Sequence, residues 1–424
     1  MGRPPVNGIA GENGGQVPSE AACGRAAGRP LRVVVAPDSF KGTLGAAEAA
    51  EAIAEGLDEI LPAGSSVECV PMADGGEGTV DAWIAATGAK KIACDSTDPL
   101  GRPVRAHFGY LASSKTAVVE LAAASGLPLL APEERDPTAA STAGTGLVLA
   151  AALDRGARRV VLALGGSATN DGGAGMVCAL GARAFDASGA PFEPRGAAGA
   201  ARVARLDLSG LKRKLREREI ALDAACDVSN PLCGPAGASA VFGPQKCALS
   251  LRADAARLAD AVRGMDAALA SWARAVADAT GRDLSAEPGA GAAGGAGFAA
   301  VAILGGTHRP GAALVADAAR LAERVRGADW VVTGEGALDE QTFSGKTPAG
   351  VAAVARAAGA RVAACCGRID LRPERLAELG VAAAEASSRP GLGLPPTPGH
   401  ARLWLRTAAK RLAAEMAAVS SRAD

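Results

Sequence analysis

Short β-branched runs that each empty into a glycine-rich loop recur along the chain, and this pattern constrains the fold more than any other feature. The runs are Leu31–Val35, Val67–Pro71, Arg158–Leu164 and Asp329–Val332, and their loops read APDSFKGT, MADGGEGT, GGSATNDGG and TGEGALDEQT. The first two are followed by residues with helical spacing, Ala46–Ile60 and Thr79–Ala86. Strand, loop and helix in that order predict a parallel sheet, with ligands held beyond the carboxyl ends of its strands. Glycine lets backbone turn tightly and approach a ligand, because it has no Cβ. Amides in such turns offer partial positive charge to an anion. A carboxylate stands in every loop, suited to Mg²⁺ or to accepting a proton. Together the loops read as an active site that handles phosphate.

At 424 residues the chain exceeds the length over which one core keeps growing, so two domains are expected. Lys and Arg number 45 and so do Asp and Glu, which gives no pull towards nucleic acid or a membrane surface. No uninterrupted apolar stretch reaches the roughly 18 residues of a membrane span. The nine cysteines contain no C-x-x-C pair and no zinc spacing, as expected of a reduced cytoplasmic protein. Adjacent Cys365 and Cys366 read as core residues of a strand. Residues 1–30 lack a signal core and are expected to be a disordered extension.

After Lys90 the rhythm changes to shorter strands joined by turns, including Lys91–Cys94, Arg102–Tyr110 and Thr116–Leu121. A long helical stretch, Ala253–Thr280, precedes the glycine tract Glu287–Gly297, and strand–helix alternation then returns. The simplest organisation is a discontinuous α/β domain built from 31–88 and 288–424, with 89–287 inserted as a second α/β domain.

Two motifs invite over-reading. SGKT at Ser344–Thr347 is no P-loop, because the first glycine of that motif would fall at 340, where Glu340 stands. PGAGAAGG contains G-x-G-x-x-G, yet no strand precedes it and no ribose-binding acid follows. It is expected to be a hinge or a close backbone crossing. His107, His308 and His400 are dispersed and are expected to have no catalytic part.

APDSFKGT, PMADGGEGT, ELAAASGL, the GTG at Gly144–Gly146, GGSATNDGGAGM and ACDVSNPLCGPAGAS occur in order, followed by FGPQK, PGAGAAGG and VTGEGALDEQTFSGKTPAGVA. In these motifs the chain closely resembles the bacterial class I glycerate kinases, from about Leu31 to its C-terminus. The resemblance implies a flavodoxin-like parallel-sheet domain, an inserted mixed α/β domain and an active site between them. It also implies transfer of the γ-phosphoryl group of ATP to D-glycerate with Mg²⁺, commonly yielding 2-phosphoglycerate. A 3-phosphoglycerate product or a related small hydroxy acid stays open. The chain departs from the family at CCGRID, which places Arg368 in a turn, and across 380–400.

Phosphoryl transfer requires positioning and neutralisation of spreading negative charge. On that basis Gly165, Gly166, Ser167, Thr169 and Asn170, with Gly334, Glu335 and Gly336, are assigned to the polyphosphate. Asp38, Ser39, Lys41, Gly75, Gly76, Glu77 and Arg368 are assigned to substrate, with a guanidinium suited to its carboxylate. Asp171, Asp74 and Lys41 are the catalytic candidates. Asp171, Asp227 and Asp339 are the candidates for Mg²⁺. The oligomeric state is not readable.

Overall fold

The computed structural model describes residues 26, 28–40, 42–388 and 397–421. Lys41, nearly all of the expected 1–30 extension and residues 389–396 of the altered C-terminal region lie outside these described residues.

In chain order the strands are β1 (Arg32–Val35), β2 (Ser66–Cys69), β3 (Lys90–Thr97), β4 (Pro103–Leu111), β5 (Thr116–Glu120) and β6 (Arg159–Ala163). Next come β7 (Arg183–Phe185), β8 (Pro191–Phe192), β9 (Arg205–Asp207), β10 (Ala221–Ala225) and β11 (Thr307–Arg309). The last are β12 (Trp330–Thr333), β13 (Ala337–Leu338), β14 (Arg361–Cys366), β15 (Arg368–Ile369) and β16 (Val381–Ala386).

One sheet, here the outer sheet, has the order β16-β14-β12-β1-β2 and is parallel throughout. Ranked by appearance within that sheet, its strands run 2-1-3-4-5, the flavodoxin-like order, whose switch point lies between β1 and β12. Val33 pairs with Trp330 across that point. The inner strands WVVT and VAACC are buried at every residue, because helices cover both faces of a parallel sheet. Cys365 and Cys366 are therefore core residues, as expected.

On one face the helix Ala46–Ile60 packs Ile53 and Leu57 against Leu405, Leu412 and Met416 of the C-terminal helix Pro398–Ser421. The chain's alanine content lets these helices approach closely. A Cβ at Gly56 would lie 2.3 Å from the Arg406 carbonyl oxygen.

The second sheet has the order β11-β10-β6-β5-β4-β3, antiparallel at the β3–β4–β5 end and parallel elsewhere. A small sheet of β7, β8 and β9, not anticipated in the sequence, decorates it. Two helices, Thr79–Thr87 and Gly311–Ala318, lie between the major sheets. Ala82 and Val315 join a core with Val34 and Val331 of the outer sheet. Trp83 and Leu314 face Val118 and Val161 of the second.

β11 pairs with β10, so the second sheet reaches Arg309, beyond the 287/288 position expected for the boundary. The glycine tract that suggested a break is a packed crossing, not a hinge. Ala293, Gly294 and Gly295 all have positive φ, and a Cβ at Gly294 would lie 2.0 Å from the Thr169 carbonyl oxygen. Only glycine tolerates both the left-handed backbone and that approach.

Candidate active site

A cavity of about 850 Å³ opens between the two sheets. Ser39 and Gly42–Gly45 reach it from the end of β1, and Asp74–Gly78 from beyond β2. The second sheet contributes Gly165–Ser167 after β6, Cys226–Val228 after β10, and Lys246. Pockets of roughly 300–1,000 Å³ hold cofactor-sized ligands, so this volume suits a nucleotide with a small acid beside it.

Backbone contact fuses the two central loops. The Gly165 amide donates to the Gly75 carbonyl at 3.2 Å, and a Cβ at 165 would sit 2.5 Å from the Gly76 Cα. Gly75 has φ +89°, and a Cβ there would lie 3.0 Å from the Ala225 Cβ. Behind them Glu120, at the end of β5, accepts the Val80 amide at 2.6 Å. This carboxylate caps the helix Thr79–Thr87, whose first amides have no helical partner. Burial raises the pKa of Glu120, and the amides of Val80 and Gly78 oppose that shift.

Asp74, Glu77 and Asp227 bring carboxylates to the cavity wall. Asp74 is half-buried and accepts the Gly76 amide at 3.0 Å. Asp227 accepts the Gly311 amide at 2.9 Å. Gly311 also abuts Asp74, since a Cβ there would lie 2.0 Å from the Asp74 carbonyl oxygen. Two of the predicted acids are thus brought to one place by a glycine at a helix start.

Asp38, Glu335 and Asp339 form a separate acidic group at the β1/β12 switch point. The Asp38 amide donates to Gly334, and the Thr347 hydroxyl donates to the Asp38 carboxylate at 2.5 Å. Thr342 donates to Glu335 at 2.9 Å, and Lys346 pairs with Asp339 at 3.8 Å. Burial pushes the Glu335 carboxyl up to about 7; Thr342 and Lys346 oppose this, while Asp38 and Asp339 add to it. Lys346 of the SGKT segment thus faces carboxylates.

Several predicted residues take other places. Asp171 is fully buried and does not line the cavity. Its carboxylate accepts Thr142 through both amide and hydroxyl, and the amides of Gly173 and Gly175. It ties the starts of helices Ala143–Asp154 and Ala174–Ala179 together. Burial raises its pKa against those hydrogen bonds.

Thr169 and Asn170 are fully buried beneath the loop, with Thr169 Oγ1 and Asn170 Oδ1 lacking protein partners. Gly334 is needed for packing, since a Cβ there would meet the Cys365 carbonyl oxygen at 1.9 Å, and the Gly336 carbonyl accepts the Arg368 amide. Arg368 is exposed, pairs with Asp370 at 2.8 Å and is not among the residues that line the cavity. The trio Asp171, Asp227 and Asp339 does not converge. Among the described residues, no three His, Cys, Asp or Glu side chains form a metal-binding group. His308 braces Pro288 and Gly297 through its two ring nitrogens.

Lys246 was not singled out in the sequence, although its motif FGPQK was. It is 2% exposed and donates to Ser167 Oγ at 2.8 Å and to the Thr169 carbonyl at 2.7 Å. Burial lowers its ammonium to about 7, with Asp171 opposing. The signal that could have found it is a lysine in a Gly-Pro turn, where a long cation would otherwise be solvated.

Comparison with known proteins agrees with this geometry. Residues 33–417 match the model of the glycerate kinase family. A glycerate kinase of Bacillus subtilis (strain 168) is 42% identical over 386 residues, covering 91% of this chain and 98% of that protein. The glycerate 2-kinase of Escherichia coli (strain K12) is 44% identical over 326 residues, covering 77% of this chain and 82% of that one. A crystal structure of a protein assigned as glycerate kinase 2 from Salmonella typhimurium LT2 superposes with a TM-score of 0.80 at 39% identity. The match covers 93% of this chain and 100% of that one. A match that runs through both sheets and every loop of the cavity leaves one conclusion: the chain belongs to the glycerate kinase family.

Proposed function

We propose that the protein transfers the γ-phosphoryl group of ATP to D-glycerate and releases 2-phosphoglycerate. The observation that carries this reading is the cavity itself, where glycine amides and a buried lysine line the same space as three carboxylates. The name of the Escherichia coli relative supports transfer to the 2-hydroxyl. Phosphoryl transfer needs positioned donors and charge neutralisation more than covalent chemistry, and this lining supplies both.

In this reading Gly166 and Ser167 hold the polyphosphate through amides and a hydroxyl, while the Gly165 amide keeps the loop against Gly75. Asp74 accepts the proton of the attacking hydroxyl, with one oxygen fixed by the Gly76 amide. Ser39 and the loop to Gly45 bring the acid substrate from the outer sheet. Glu77 and Asp227 are hard oxygen donors that line the same cavity and suit Mg²⁺, which takes one or two carboxylates together with phosphate oxygens. When bound, that ion would neutralise charge on the polyphosphate. We read the two sheets as two domains, with the insertion running from about residue 89 to Arg309. A cytoplasmic setting is supported by eight described cysteines, none in a disulfide.

The test is glycerate-dependent release of ADP from MgATP, with phosphorus NMR of the product. Turnover with phosphate on the 2-oxygen is expected. No ADP release with D-glycerate would remove the reading, and a 3-phosphate product would correct its regiochemistry.

A further inference from the structure

We propose that Lys246 is the cation that the inserted domain presents to the terminal phosphate of the nucleotide, gripping the phosphoryl group as it is transferred. This rests on the reading that the cavity takes ATP. Lys246 lines the cavity yet is almost wholly removed from solvent. An ammonium carries three donors. Two are accounted for by Ser167 Oγ and the Thr169 carbonyl, both neutral acceptors. A buried cation held only by neutral groups is costly until a counter-charge arrives.

The acid that acts on it electrostatically is Asp171, whose carboxylate is already taken up by Thr142, Gly173 and Gly175. A phosphate bound at the Gly165–Ser167 loop would lie within one residue of a group that Lys246 touches, and would supply the missing negative charge. The carboxylates Asp74, Glu77 and Asp227 on the same cavity suit a metal and repel a bare phosphate. Burial lowers the ammonium to about 7, so phosphate binding would also favour its charged form.

A purely structural role is the competing account, in which Lys246 only ties Ser167 to Thr169. The two are separated by nucleotide discrimination. Full-length wild type, Lys246→Met, Lys246→Arg and Ser167→Ala would be titrated calorimetrically with MgADP and with magnesium β,γ-imido-ATP, alongside initial rates and circular dichroism. Wild type is expected to prefer the triphosphate analogue. Lys246→Met should erase most of that preference, by about ten- to a hundredfold, while leaving ADP affinity within about threefold. Lys246→Arg should recover part of it.

Folded Lys246→Met that keeps the wild-type preference and turnover overturns the proposal. Should that variant fail to fold, Ser167→Ala decides, since it loosens the ammonium without removing it. An unchanged preference there also overturns the proposal. Failure of wild type to bind either nucleotide removes both this inference and the function it rests on. Normal wild-type turnover with unchanged discrimination in the variants removes this inference alone.

Discussion

Glu120 and Val80 join the second sheet to the helix between the sheets through one hydrogen bond of 2.6 Å, made where the helix behind the Asp74–Gly78 loop begins. The carboxylate belongs to the second sheet and the amide to the helix between the sheets. Replacing Glu120 by Ala would leave a buried amide without a partner, at a cost of about 1–3 kcal/mol. The expected result is a lower Tm together with reduced kcat, measured by thermal melting and ADP release. Glu120→Gln keeps an acceptor and should lose less of both.

Gly165 makes the closest approach in the site. A methyl group there would press on the Gly76 α-carbon at 2.5 Å, backbone against backbone. Gly165→Ala is expected to cost roughly 1–3 kcal/mol as overpacking. Spreading the two loops should also lower kcat/KM by about a hundredfold, since misplacement near 1 Å has that effect. A variant with near-normal kcat/KM would refute the fused-loop geometry.

Asp74 and Asp171 should separate cleanly when each is changed to Asn. Asp74→Asn alters a cavity wall, so kcat is expected to fall by about 10²–10⁴, the usual contribution of a positioned base, with Tm nearly unchanged. Asp171→Asn removes the charge that gathers four donor contacts from two helix starts. It should lower stability by about 1–3 kcal/mol, a hydrogen-bond-network effect, and reduce activity only in proportion to unfolding. Denaturant titration beside steady-state kinetics would distinguish the two.

The pH dependence of stability carries opposite contributions from Glu335 and Lys246. Glu335 rises from an ordinary 4.5 to about 7 in the fold, so the native state holds the extra proton between those values. Its effect is a loss of stability as pH rises from about 4.5 to about 7. Lys246 falls from 10.5 to about 7, so the unfolded state holds the extra proton between those values. Its burial penalty is full below about 7 and fades as pH climbs towards 10.5. Together they should place a shallow minimum near neutrality in the ligand-free protein, read from urea midpoints across pH. Glu335→Gln should flatten the acid side and Lys246→Met the alkaline side.

Loops were easier to find in the sequence than the jobs of their residues. Strand-then-glycine punctuation located the loop after each of β1, β2, β6 and β12, because close backbone approach leaves a compositional trace. It could not tell a glycine that faces a ligand from one that faces another strand. Gly165 lines the cavity, whereas Gly334 is pressed on Cys365. Burial was equally hidden. Asp171 and Asp74 both read as acids between glycines, but only the folded chain shows that Asp171 is enclosed by helix starts. Arg368 reads as a clamp because it follows a strand, and in the fold it pairs with Asp370 away from the cavity lining. β11 was missed because three residues after a glycine pair carry too little periodicity to announce a strand.

The pairing of Val33 with Trp330 has a consequence for how the molecule is made. β1 emerges early in synthesis, yet its partner β12 arrives only after the whole second sheet has been produced. Closing so long a loop is entropically unfavourable, and a prior fold of the intervening chain shortens its effective length. Any product that stops short of Trp330 would carry β1 with an open edge, the kind of surface that seeds aggregation. The switch point that gathers Asp38 and Glu335 can therefore form only after the second sheet has been made.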